Sequence, residues 1–167
     1  MKKTKLSQLV LVSLMAALSL GLYALETMIP PLVPVPGVKL GLSNVITLIC
    51  LYILGTKSAF AVLIIRIFIS SLLFGQPVSL VFSLFGGIMS FMIMAVLKAF
   101  FDKCNIWAIS VFGAFAHNLG QISAAVLITG EFAVTYYFLF LIISSVVTGV
   151  FTGVCAQSAV KKLEKIL

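Results

Sequence analysis

Long apolar runs, separated by short polar, glycine-bearing or proline-bearing breaks, set the pattern of this chain. Crossing a bilayer as a helix takes about 20 apolar residues. Runs of roughly that length cover residues 6–29, 39–55, 58–75, 78–100, 106–129 and 132–159, the second being the shortest. The breaks are legible too. Pro30-Pro-Leu-Val-Pro-Val-Pro-Gly37 places four prolines in eight residues, which forbids a helix and favours an extended, stiff connection or a cover over a cavity. Thr56-Lys57 makes a tight joint, Gln76-Pro77 begins a turn, Lys98, Asp102 and Lys103 mark a charged loop, and Glu131 marks another turn. The pattern predicts an all-α integral membrane bundle of six transmembrane helices forming a single domain over residues 1–167.

The first run needs separate treatment, because lysines followed by apolar residues also describe a signal peptide. The stretch Leu6 to Ile29 is too long for a signal core and carries no clear cleavage site. We read it as an uncleaved first span.

Composition agrees with the pattern. Of 167 residues, 62% are hydrophobic and 9% charged, and the mean hydropathy is +1.28, whereas soluble domains carry about 25% charged residues. After six spans nothing remains for a sizeable soluble domain. The net charge of +7 would point to nucleic acid in a soluble protein, but its placement gives another meaning. With the N-terminus inside, Lys2, Lys3, Lys5, Lys57, Lys98, Lys103, Lys161, Lys162 and Lys165 all fall on inner segments, and Lys39 alone falls outside. That asymmetry predicts both termini on the cytoplasmic side, with the bilayer and not a nucleic acid as the partner.

Polar residues inside the runs are the candidate chemistry. Gly113-Ala-Phe-Ala-His-Asn-Leu-Gly-Gln121 puts the sole histidine, an asparagine and a glutamine within the fifth run. His117 and Gln121 share a helix face, with Asn118 beside them. Arg66 lies near the centre of the third run, where a bare arginine costs at least ~2.5 kcal/mol. Glu26, Lys39 and Asn44 fall in the outer half of the first two runs. All seven can converge on one outward-facing pocket, in which the cations outnumber the carboxylate and favour an anionic small molecule. There Arg66 and Lys39 would hold the anionic group, while Asn44, His117, Asn118 and Gln121 bond polar edges and Glu26 balances Arg66 or accepts from the ligand. The bland alternative is that these groups satisfy one another inside the bundle.

Small residues form stripes as well. Ser13, Ala17 and Gly21 recur every four residues on the first run, a spacing that lets another helix approach closely. Glu26 lies about 180° around the helix from Ala17. Ser83, Gly86, Gly87 and Ser90, and then Ser145, Gly149, Thr152 and Ala156, form similar packing faces.

Several chemistries lack their residues. There is no GxxxxGK[ST] loop for nucleotide binding. Asp102 is the sole aspartate, so no acidic cluster can hold Mg²⁺ on a diphosphate. One histidine, with Cys50, Cys104 and Cys155 lacking CxxC spacing, gives no metal site or disulfide framework. No cofactor is expected, and the chain does not read as a self-contained enzyme.

Pro36-Gly-Val-Lys-Leu-Gly-Leu-Ser-Asn44, the Arg66 segment ending in Leu72-Leu-Phe-Gly75, Ser83-Leu-Phe-Gly-Gly87 and the Gly113–Gln121 stretch together resemble the bacterial Gx transporter family, commonly labelled heptaprenyl diphosphate synthase component I. The resemblance covers nearly the whole chain. That family is in turn similar to the substrate-binding S-components of energy-coupling factor (ECF) transporters. The similarity implies a six-helix protein that captures a vitamin-like molecule in an outward pocket, here of isoprenoid, quinone or flavin-related character. It also implies a transmembrane coupling subunit and a pair of ATPases as partners, with Ser13, Ala17 and Gly21 at the coupling interface. The synthase label implies something else: a non-catalytic membrane subunit beside a soluble prenyl diphosphate synthase.

Overall fold

Hydrocarbon offers no hydrogen bonds, so an apolar run that enters it must pair its own backbone groups. A computed structural model, which describes residues 5–29, 41–74, 77–101, 105–132, 136 and 138–166, resolves each run into a helix. These are α1 (Lys5–Thr27), α2 (Asn44–Ile53), α3 (Thr56–Phe74), α4 (Pro77–Phe100), α5 (Ile106–Thr129) and α6 (Phe138–Ile166). Among the described residues there is no strand. Five helices are long and apolar enough to cross a membrane, and α2 is a shorter apolar helix of 10 residues. At 1.5 Å per residue α2 measures about 15 Å, half the hydrocarbon thickness.

The helix ends follow local chemistry. Leu54 closes α2 by donating its N–H to the Cys50 carbonyl at 2.8 Å, and Gly55 then takes φ +85°, which turns the chain directly into α3. α6 starts later and ends later than its apolar run, at Phe138 and Ile166. Its extension carries Lys161, Lys162, Leu163, Glu164 and Lys165, good helix formers that continue the helix where hydropathy has already fallen.

α5 packs most extensively, against α4 on one side and α6 on the other. Small residues let the backbones meet. A Cβ added at Gly120 would stand 2.5 Å from the Phe85 carbonyl oxygen of α4, and one at Gly153 of α6 would stand 2.5 Å from the Trp107 Cα of α5. The opposite situation holds at Gly21, where an added Cβ meets nothing within 4 Å. Ser13, Ala17 and Gly21 are all exposed in the isolated chain, and Glu26 is turned inward at 5% exposure.

Two apolar clusters divide the interior. The larger joins residues of all six helices, including Ala16, Leu48, Leu51, Leu63, Ile67, Met94, Ile109 and Val160. The smaller, of Phe82, Ile122, Ala124, Ala125 and Leu141, fills the space among α4, α5 and α6 toward the other end. Cross-links identify the lysine-bearing end. Gln8 at the start of α1 donates to Ser58 at the start of α3 at 3.1 Å. Lys98 at the end of α4 donates to the Leu51 carbonyl at the end of α2 at 2.5 Å and sits 5.2 Å over the Tyr52 ring. The helix exteriors carry a broad apolar surface, with Leu25, Phe68, Leu72, Met92, Phe112, Leu127, Phe140 and Phe151 all exposed. A soluble monomer rarely exposes such an area. This is a multi-pass membrane protein.

Candidate functional site

A layer of polar side chains lies between the two apolar clusters, and the turn before α2 organises it. Gly41 takes φ +80°, a conformation open to glycine and strained for other residues. Its N–H donates to Glu26 Oε1 of α1. The next turn brings Ser43 and Asn44 over Arg66 of α3, whose guanidinium donates to Ser43 Oγ and makes a longer contact of 3.5 Å with Asn44 Oδ1. Ser43 is anchored in turn, since Ser19 of α1 donates to its carbonyl at 3.3 Å. Arg66 is 2% exposed, and Glu26 attracts it electrostatically across the low-dielectric interior.

Asn44 carries the network across the bundle to His117 of α5, with 3.0 Å between Nδ2 and Nδ1. The direction of this bond follows from Arg66, which can only donate. Asn44 must therefore turn its oxygen toward Arg66 and its N–H₂ toward the imidazole. In that assignment of the amide, His117 Nδ1 accepts from Asn44. The imidazole sits between two glycines: an added Cβ would come within 3.1 Å of it at Gly41 and 2.9 Å at Gly86. Any larger residue at either position would displace the ring.

The structure thus brings Glu26, Asn44, Arg66 and His117 into one connected group. Gln121 is one turn beyond His117 on α5 and 1% exposed. Asn118 faces elsewhere. Its amide nitrogen donates to the Leu141 carbonyl at 2.9 Å and to Ser145 Oγ at 3.0 Å, tying α5 to α6. A 100° step around the helix separates it from His117 and aims it at the neighbouring helix. Lys39 and the proline-rich segment over 30–37 lie outside the described residues. Among the described residues no three His, Cys, Asp or Glu side chains gather in a way that could hold a metal ion.

Three participants escape a reading based on polar residues in apolar runs. Ser43 is an ordinary membrane-helix serine by type, and Gly41 and Gly86 act through the side chains they lack. The signal available for them was their place in the Pro36–Asn44 and Ser83–Gly87 motifs.

Chemically the arrangement offers a buried guanidinium, imidazole and carboxylate with a half-buried amide, all held by backbone and side-chain bonds. Small-molecule pockets use groups of these types, set in an apolar enclosure, to fix a ligand's orientation. Nothing in it supplies a nucleophile with an adjacent base. The family model described as heptaprenyl diphosphate synthase component I matches residues 15–159. No curated protein and no solved structure matches the chain.

Proposed function

The chain belongs to the heptaprenyl diphosphate synthase component I family, and on that premise we propose that it is a membrane-embedded substrate-binding subunit, built like an ECF S-component, for a small anionic molecule. The Glu26–Gly41–Ser43–Asn44–Arg66–His117 group, buried except at Asn44, carries this reading. Holding an arginine, a carboxylate and a histidine in the interior lowers stability unless every partner is in place. A bundle held together only by packing needs none of them.

Arg66, with Lys39, holds the anionic part of the ligand, and His117 and Gln121 bond its polar edges. Asn44 aligns Arg66 and His117 with each other. Asn118 serves the α5–α6 contact. Catalysis is no part of this role, and energy comes from partner ATPases through a coupling subunit docked on the exposed Ser13–Ala17–Gly21 face of α1. The six helices span the bacterial plasma membrane with both termini in the cytoplasm, which sets Glu26 and Gly41 toward the outside.

The family description favours a second reading: a membrane subunit that anchors a soluble prenyl diphosphate synthase. Co-purification from native membranes separates the two. A transporter subunit brings down a membrane scaffold and ATPases, and Gly21→Leu on α1 abolishes their recovery while the protein itself stays folded. Recovery of a soluble synthase alone, unaffected by Gly21→Leu, would overturn the first reading.

A further inference from the structure

As folded, the guanidinium and the imidazole are out of reach. Arg66, Ser43 and His117 are each at most 4% exposed, and the small cavity beside them, among α2, α4, α5 and α6, has room for little more than one water. A larger ligand contacts Arg66 only if a side chain makes way, and charge decides which one. Among the described residues Glu26 is the one buried carboxyl group, and Arg66 is the one buried side chain that is permanently cationic. The two balance. A second anion lowered beside Glu26 would leave a negative charge unmatched in the interior, which is costly. Exchanging one anion for the other keeps the balance.

Glu26 is also the member placed to leave. It lies in the last turn of α1, which ends at Thr27. One turn earlier, Tyr23 shares a hydrogen bond with Ser79 of α4 at 3.0 Å and packs on the Phe74 ring of α3 at 5.6 Å. Beyond Glu26, Thr27, Met28 and Ile29 are exposed. Helix ends fray at little cost, so this turn can unwind while Tyr23 keeps the rest of α1 in place. Ser43 and His117 have no such freedom, the one anchored by Ser19 and the other wedged between Gly41 and Gly86.

What Glu26 fills is a slot for a carboxylate: the Gly41 N–H donates to its Oε1, and Arg66 attracts it. We propose that the ligand's anionic group is a carboxylate, which takes the place of the Glu26 carboxylate on the Gly41 N–H and in the field of Arg66, so that Glu26 holds the site shut until the ligand displaces it. A phosphate is too large for a slot shaped around a glutamate side chain, and as a dianion it would outweigh the single guanidinium. The inference rests on the small-molecule reading of this group, whose own test is the recovery of partners from native membranes. Binding of a simple carboxylate to the purified protein is a separate result.

Acetate is the probe, because its heavy atoms are those that Glu26→Ala removes beyond Cβ. In thermal unfolding of the purified protein, sodium acetate should raise the midpoint of Glu26→Ala saturably, as ligand binding to the folded state requires. Sodium chloride or phosphate at equal ionic strength should not. Wild type should need at least about tenfold more acetate for the same rise, because its own carboxylate occupies the slot and lowers the apparent affinity. Glu26→Ala/Arg66→Met should lose the response. An acetate effect no larger than that of chloride, one exceeded by phosphate, or one equal in wild type and Glu26→Ala would overturn the proposal, as would a response that survives in folded Glu26→Ala/Arg66→Met. If Glu26→Ala does not fold, Glu26→Gln decides: its uncharged side chain should yield the slot to acetate at a lower concentration than wild type does, and an unchanged requirement would overturn the proposal.

Discussion

Arg66 cannot shed its charge, so the chain must surround it with acceptors, and Ser43, Asn44 and the field of Glu26 do this. Removing one member leaves a buried charge uncompensated. Arg66→Met is expected to destabilise the protein by about 3–5 kcal/mol, read as a lowered unfolding midpoint in detergent. Adding Glu26→Gln to it should recover a substantial part of the loss, and strictly additive effects would deny the coupling. Asn118→Ala should also destabilise, by about 1–3 kcal/mol through its lost bonds to α6. It should leave ligand retention intact in the molecules that remain folded, unlike His117→Ala. At this scale Glu26, Arg66 and His117 were legible because polarity inside an apolar run has few innocent explanations. Asn118 shows the limit of that signal. Its neighbour in sequence joins the Arg66 group, and the helix turn sends Asn118 to a different helix.

At the scale of elements, hydropathy located the long helices well, since in hydrocarbon the apolar run and the hydrogen-bonded run are nearly the same thing. α5 occupies Ile106–Thr129, the limits of its apolar stretch. α6 departs from that rule where lysines and glutamate prolong a helix that no longer needs the bilayer. The small-residue stripes were visible in the sequence, but their partners were not, because spacing alone does not say what lies opposite. Gly120 and Gly153 meet backbone, whereas Gly21 meets nothing. Gly120→Ala and Gly153→Ala should therefore each lower stability by about 1–3 kcal/mol through overpacking. Gly21→Ala should hold or raise it by up to about 1 kcal/mol, since alanine is the better helix former. Thermal unfolding of the three variants checks the contrast, and equal losses at all three would contradict it.

Across the described residues, Lys5, Lys57, Lys98, Lys161, Lys162 and Lys165 fall at one end of the bundle and the Glu26–Gly41–Asn44 turn lies toward the other. On that polarity we propose six spans with both termini cytoplasmic. In a cysteine-free background, Ser7→Cys and Lys165→Cys should both resist a membrane-impermeant thiol reagent in intact cells and react once the membrane is opened. Labelling of either one from outside would reverse or break the topology. The short α2 makes this a real question, since about 15 Å of helix does not itself cross the bilayer.

The central claim is that the buried polar group exists to hold a small molecule. Its most direct measurement is mass spectrometry of the compounds released on denaturing the purified protein, comparing wild type with an Arg66→Met/His117→Gln variant confirmed to be folded. The account predicts an anionic compound, near-stoichiometric in the wild type and lost from the variant. A wild type that releases nothing, while retaining a soluble prenyl diphosphate synthase, would contradict it.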